Sequence, residues 1–392
     1  MLFKKLVSLL LLIVSCLGYS QIPELSPLSK ISVLTCGSGD QLYTTFGHSA
    51  FRVQDSTVGI DVVYNYGVFD FNSSNFYVKF TQGKLDYTLA RQRFSRFLDT
   101  YEYEERWVIE QDLDLSQTER NELFQFLETN YLPENRGYQY DFFFNNCATK
   151  IWDVLKQVFG DKLSFDESYI KERFTHRELI RRNMPVNSWA DFGIDIALGS
   201  VIDDPATPKE HMFLPDYIMQ QLSVSTFDTK PIVTDQKSLY TPKTVPSGSN
   251  FIFSPLCWAL IFMIIIVWIT YKDHKSAKRS RWVDVALFVV TGLIGVLIFF
   301  LWFLTDHTET ANNFNLLWAF PFNLMGAFLI WRNKPIKKWI TVYLLVLILM
   351  LFSVGIVWIT GIQIFSPVLI PILLALLTRY AFLYLSNRSK KQ

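Results

Sequence analysis

Histidine and cysteine are both scarce in this chain, at five and four residues in 392. Neither falls into a ligand spacing such as a paired C-x-x-C or H-x-x-x-H, so no resident metal is called for. No cofactor-binding motif stands out either. The formal net charge is only +1, without the basic excess that nucleic acid would require. Internal repeats and low-complexity tracts are absent. The charged residues are unevenly spread. The first 250 residues read as an ordinary water-exposed sequence, and the last 140 are long apolar runs cut by short charged loops.

The N-terminus, "MLFKKLVSLLLLIVSCLGYSQ", places a basic patch before a short apolar run and small residues. This is the layout of a secretory signal over residues 1–20, with Gly18 and Ser20 at the small positions and cleavage before Gln21. The alternatives are an uncleaved anchor helix and, at Cys16, lipid attachment, for which "IVSC" is a poor match. Towards the C-terminus five runs, at 251–271, 283–304, 314–331, 339–360 and 364–385, approach the roughly 20 residues that cross a ~30 Å hydrocarbon core. The third is interrupted by Pro321 and Asn323. The loops "YKDHKSAKRSR" and "WRNKPIKKW" and the tail "SNRSKKQ" are basic, whereas "TDHTETANN" (305–313) has two acids and no Lys or Arg. Positive charge stays cytoplasmic, so 21–250 and 305–313 are expected outside and the tail inside. No chain of intramembrane acids suggests a pump. Asp306, His307, Glu309, Asn312 and Asn313 read either as a solvated loop or as part of a site at the bilayer surface.

Within the water-exposed half, "KISVLTCGS" is a strand entering a glycine turn. "HSAFRVQ" and "GIDVVYNYGVF" are β-type runs joined as a hairpin by "DST". "RWVIEQDLDL" is a further strand, and Ser116 with Glu119 forms a capping box for a helix to about Asn130. "GYQYDFFF" is extended and aromatic, and Asn145 and Asn146 lead into "CATKIWDVLKQVFG". There Ile151, Leu155, Val158 and Phe159 share a face and Gly160 ends the helix. Thr175 with Glu178 and Ser188 with Asp191 mark two more helix starts, and "DDPATPKEHMFLPDYIMQQL" a loop and short helix. Residues 223–250, rich in Ser, Thr and Pro, read as a linker. The expected division is 1–20 signal, 21–222 an α+β extracytoplasmic domain, 223–250 linker and 251–392 an all-α membrane domain of five helices.

Cys147 at a helix start has free N–H groups and the helix dipole to favour a thiolate. An imidazole near it can hold the ion pair or take the proton. His48, on a strand after Gly47, is the candidate base. If 48–53 and 61–67 pair, residue 48 faces about 64–66, making Asn65 or Tyr66 the group that orients the ring. The Cys147 backbone N–H is the natural oxyanion donor, with Asn146 or Asn145 contributing or simply capping the helix. The structural alternative is a Cys36–Cys147 disulfide, with His48 as an ordinary strand histidine.

"FGHSAFRV" followed by a second strand and by "NCAT" opening a helix resembles the permuted papain-like thiol enzymes of the lecithin:retinol acyltransferase type. Taken together, "LTCGSGDQLYTTFGHSAFRV", "VVYNYGVFDF", "YDFFFNNCATKI", "MFLPDYI" and a multispan C-terminus with "TDHTETANNFNLL" resemble the Lnb-type lipoprotein N-acyltransferases. That resemblance covers nearly all of the mature chain. It implies a bacterial inner-membrane enzyme with a periplasmic thiol domain, no cofactor, a phospholipid acyl donor and a diacylated lipoprotein acceptor. Cys147 would be the nucleophile and His48 the base. The third polar group is not clearly a histidine here, a departure from the broader papain-like pattern. Two rival functions use the same residues differently: a cell-wall cysteine peptidase or amidase, and a non-catalytic membrane sensor or assembly protein.

Overall fold

The computed structural model describes residues 22–70, 74–243, 250–331 and 338–389. The expected signal segment, Cys16 and the expected cleavage position before Gln21 lie outside the described residues, as do 332–337 of the second basic loop and the end of the tail. Among the described residues there are nine strands: β1 (Lys30–Cys36), β2 (His48–Asp55), β3 (Ile60–Val68), β4 (Asp86–Arg93), β5 (Val108–Leu113), β6 (Gly137–Gln139), β7 (Thr226–Phe227), β8 (Lys230–Pro231) and β9 (Val233–Tyr240). Eight helices accompany them: α1 (Phe76–Thr81), α2 (Phe94–Tyr103), α3 (Gln117–Tyr131), α4 (Cys147–Phe159), α5 (His176–Asn183), α6 (Trp189–Ala197), α7 (Pro208–His211) and α8 (Pro215–Val224).

Seven strands form one antiparallel sheet in the order β6-β4-β3-β2-β1-β5-β9. Alternation along the strands gives it two buried faces. On one, Val33, Phe51, Val53 and Tyr64 pack on Leu123 and Phe124 of α3 and Ile151 and Leu155 of α4. On the other, Leu34, Ala50, Val63 and Val108 pack on Phe97 and Tyr101 of α2. Such full burial contributes about 1.5–3 kcal/mol per large apolar side chain. The capping boxes at Ser116 and Thr175 form as their spacing requires, and Thr207 with Glu210 supplies another.

Within the stretch expected to be a linker, β9 pairs along β5 and closes the sheet edge. Most of its residues are exposed, so its sequence lacks the apolar alternation that marks a half-buried strand. The expected extended run "GYQYDFFF" is a strand only at β6. Asp141 then turns the chain, its Oδ1 accepting the N–H groups of Phe143 (2.9 Å) and Phe144 (2.8 Å).

The C-terminal part is helical: α9 (Pro255–Ser276), α10 (Arg281–Phe303), α11 (Asn323–Trp331), α12 (Lys338–Ile359) and α13 (Leu369–Ser389). Four of these, all but α11, are long and apolar enough to cross a membrane. The run at 314–331 is not the continuous fifth helix that was expected. It begins as a 3₁₀ turn (Phe314–Leu317), breaks near Pro321 and resumes as the nine-residue α11. Proline removes a helical donor there. Asn323 is buried, donating to Thr291 Oγ1 (2.8 Å) and accepting from the Tyr343 hydroxyl (2.6 Å). The segment lies tightly along α10, where a Cβ on Gly295 would stand 2.1 Å from the Ala319 carbonyl oxygen. Arg379 pairs with Asp284 (2.6 Å) and Asp273 (2.8 Å), and Arg279 of the loop between α9 and α10 pairs with Asp284 (2.7 Å).

Candidate active site

The chain enters β2 through Gly47, at φ +79°. A Cβ there would sit 2.6 Å from the Cys36 carbonyl oxygen, so only glycine lets β2 start this close to the end of β1. His48 is thereby set directly opposite Cys36 in the ladder. Asn146 caps α4: its Oδ1 accepts from Ala148 N (2.8 Å) and Thr149 N (2.9 Å), and Thr149 Oγ1 accepts from Asn146 N (2.9 Å). Its Nδ2 donates to the carbonyls of Phe142 (2.8 Å) and Phe213 (2.7 Å). One buried amide thus ties the helix start to two loops. The cap takes the N–H groups of Ala148 and Thr149 and leaves that of Cys147, the first helical residue, unclaimed.

The His48 imidazole stands within hydrogen-bonding reach of the Cys147 thiol, as do the backbone N–H of Ser49 and that of Ala148, which the Asn146 cap also holds. His48 Nε2 lies 3.2 Å from Asn65 Oδ1. An amide oxygen only accepts, so in this contact Nε2 carries the hydrogen. Burial opposes ionisation of Cys147. The His48 charge, its hydrogen bond and the two N–H groups outweigh burial and hold the thiol below its ordinary value. Burial likewise lowers the basicity of His48, yet the Cys147 charge and the bonds to Cys147 and Asn65 raise it overall. Together these features favour a thiolate–imidazolium pair.

Tyr66 does not reach His48. Continuing the β2–β3 ladder from Phe51 opposite Tyr64 sets residue 48 level with Gly67 rather than with 64–66. Asn65 shares that parity, and Tyr66 points to the other face, where its hydroxyl donates to Asn130 Oδ1 (2.5 Å). Both amide hydrogens of Asn146 are committed to carbonyls, leaving none for an oxyanion. Asn145 Nδ2 donates one of its two hydrogens to Gln139 O (2.6 Å). Cys36, Cys147 and Cys257 are all free, so the Cys36–Cys147 disulfide is not formed. Burial pushes the Cys36 thiol far up, although Arg106 and a hydrogen bond with Tyr101 act the other way.

Asp306 and His307 lie away from this pair, in the seam between the two parts of the chain. Asp306 N donates to Gln82 O (2.9 Å) and His307 Nε2 lies 3.1 Å from Phe80 O. Further along, Gly199 N donates to Glu309 O (2.9 Å), Ser200 N to Asn312 O (3.1 Å), and Asn313 Nδ2 to Ile196 O (2.8 Å). A Cβ on Gly199 would fall 1.7 Å from the Ala311 carbonyl oxygen, so the loop is seated without space to spare.

Two neighbours of the thiol were not singled out from sequence. At Gly67 (φ +87°) a Cβ would lie 3.6 Å from Cys147 Cβ and 3.8 Å from Tyr140 Cε2. Tyr140 stacks on Tyr87, with centroids 4.1 Å apart. Burial, and then the Cys147 charge, push the Tyr140 phenol up and keep it neutral. The aromatic density of "GYQYDFFF" was its only sequence signal.

Comparison with known families matches both parts of the chain. A family model described as the Lnb N-terminal periplasmic domain covers residues 24–182, and one described as the Lnb transmembrane domain covers residues 247–391. No curated protein and no solved structure matches. With an α+β N-terminal part that carries the Cys147–His48 pair and a helical C-terminal part, each matched in chain order by the corresponding domain, the chain belongs to the Lnb family.

Proposed function

We propose that the protein is a lipoprotein N-acyltransferase of the inner membrane, with residues 22–243 on the periplasmic side. In this reading the broken 314–331 segment serves as the fifth crossing. The observation that carries the proposal is the thiol of Cys147 at a helix start, within hydrogen-bonding reach of an imidazole that Asn65 holds at Nε2. The Cys147 thiolate attacks an ester carbonyl of a membrane phospholipid, and the Cys147 N–H donates a hydrogen bond to the developing oxyanion. The tetrahedral adduct collapses with cleavage of the ester C–O bond. His48 gives its proton to the departing lysophospholipid oxygen, leaving an acyl thioester.

The α-amino group of a diacylglyceryl-cysteine lipoprotein then attacks the thioester. His48 takes its proton, the C–S bond breaks, and an amide and the thiolate remain. Transfer rather than hydrolysis requires exclusion of water, which seating against the bilayer supplies. The family match supports this reading over a wall peptidase, which has no need of a multispan domain.

The test supplies the purified protein with phospholipid and a diacylated lipopeptide. The expected product is lipopeptide heavier by one acyl chain. Formation of the same product by the Cys147→Ser variant would reject the nucleophile.

A further inference from the structure

Helix α1 buries one residue, Phe76, and turns a contiguous face outwards: Tyr77 is 75% exposed, Val78 56% and Phe80 53%. Thr81 lies on the same face. Its hydroxyl donates back to Tyr77 O (2.6 Å), so its polar group is satisfied within the helix. Lys79 turns aside towards Asp86 (3.6 Å) and Lys84 towards Asp306 (3.8 Å). The face is thus apolar and aromatic, with cations at its edge.

Its position is set by the membrane helices. Helix α10 ends in the exposed Phe303 and Leu304. Two residues beyond Leu304, Asp306 N bonds Gln82 O, and His307 then bonds Phe80 O. Three residues of chain span no more than about 10 Å. The exposed face of α1 therefore lies beside the outer end of α10. A second apolar cluster stands at the outer end of α9: Val186, Trp189 and Phe253 are exposed, and Trp189 Nε1 donates to Phe253 O (2.9 Å). The two clusters flank the same periplasmic unit at the ends of two consecutive spans.

We propose that α1 is immersed in the outer surface of the bilayer through Tyr77, Val78 and Phe80, as the lipid-contacting foot of the periplasmic domain. Tyrosine at headgroup depth and lysine near lipid phosphates match the side-chain preferences of that layer. A further part rests on the acyltransferase reading: the immersed foot brings donor lipid towards Cys147, since Phe76 of α1 contacts Phe69, Phe69 contacts Tyr87, and Tyr87 stacks on Tyr140 beside the thiol.

The test uses full-length protein in vesicles of phosphatidylcholine and phosphatidylglycerol. In a Cys147→Ser, Cys257→Ser background, a nitroxide is attached at Val78→Cys and, as a water-exposed control, at Asp161→Cys; Cys36 is buried. The Val78 label should favour collision with oxygen over a water-soluble nickel chelate by about fivefold relative to the control. Equal collision at the two sites would overturn the proposal. In the otherwise native protein, Tyr77→Asp with Val78→Asp should lower acyl transfer from vesicle lipid about tenfold while leaving iodoacetamide alkylation of Cys147 unchanged. Unchanged transfer would overturn the delivery role. If the native protein transfers no acyl chain, the acyltransferase reading and the delivery role fall together, and the collision measurement still decides membrane contact.

Discussion

Cys36 and Cys147 lie at the same end of one sheet, both beside His48, and burial disfavours ionisation of both. Their thiols nevertheless move in opposite directions. Cys36 stands opposite His48 through the backbone ladder, within the apolar layer under α2, and stays a thiol. Cys147 begins a helix and has two N–H groups and the imidazole itself within hydrogen-bonding reach. Proximity to a histidine is therefore not enough. A nucleophile requires the ring to point at the sulfur and backbone donors to replace the lost water.

The largest effect that would break this contrast is loss of the sulfur. Cys147→Ser should lower acyl transfer to lipopeptide by more than about 10³-fold. Cys36→Ala should change it less than about threefold, because that thiol is a core group. Comparable losses from both would erase the distinction.

Next comes His48→Ala, expected to cost about 10²–10⁴-fold in transfer. The same variant should move the pH dependence of Cys147 alkylation upwards. The native thiol is held below 9.0, so its alkylation should stay fast at pH values where an ordinary thiol slows; without the imidazolium that advantage is lost. A profile that does not shift would show that His48 does not stabilise the thiolate.

Asn65→Ala should lower transfer about tenfold through misorientation of the ring, and Tyr66→Phe should leave it unchanged while costing about 1 kcal/mol of stability in denaturant titration. The reverse ranking would reassign the orienting group.

Asn146→Ala removes a cap and unsatisfies two carbonyls, an expected stability loss of about 1–3 kcal/mol seen as a lower midpoint of thermal unfolding.

The smallest effect concerns the seam. His307 Nε2 faces the Phe80 carbonyl and Nδ1 the Glu309 carboxylate (3.4 Å), both acceptors, so only the protonated ring satisfies both. The hydrogen bond to Glu309 raises its basicity against the opposing effect of burial. A raised value means the docking contribution is complete below the unfolded value of 6.5 and is lost as pH rises through the folded one. Corrected for the base catalysis that speeds all amide exchange, the protection of the α1 amides should therefore fall modestly on going to alkaline pH, and His307→Ala should remove that fall.

Much of the candidate site was legible in the sequence because the two residues proposed to react occupy positions with strong local signals. Cys147 follows an asparagine cap, and His48 follows a glycine on a β-type run. Choosing Asn65 over Tyr66 needed strand register, and register rests on the turn at Gly47 and the irregularity between Asn65 and Val68, neither of which local pattern encodes. Strand β9 was missed because an exposed edge strand carries no apolar alternation. The break in the third apolar run was signalled by Pro321 and Asn323, whereas the hydrogen bonds that Asn323 finds on Thr291 and Tyr343 come from other helices. The role of the 305–313 loop as a seam depends on its contacts with Phe80, Gln82 and Gly199, more than a hundred residues earlier in the chain.

The central claim is that Cys147 carries the acyl group. Its most direct test is to incubate the protein with phospholipid vesicles without an acceptor and to measure the mass of the peptide that contains Cys147. The account predicts a gain of one acyl chain on that peptide, released by hydroxylamine and discharged onto added diacylated lipopeptide. Acyl transfer that proceeds while Cys147 stays unmodified, or is alkylated beforehand, would contradict it.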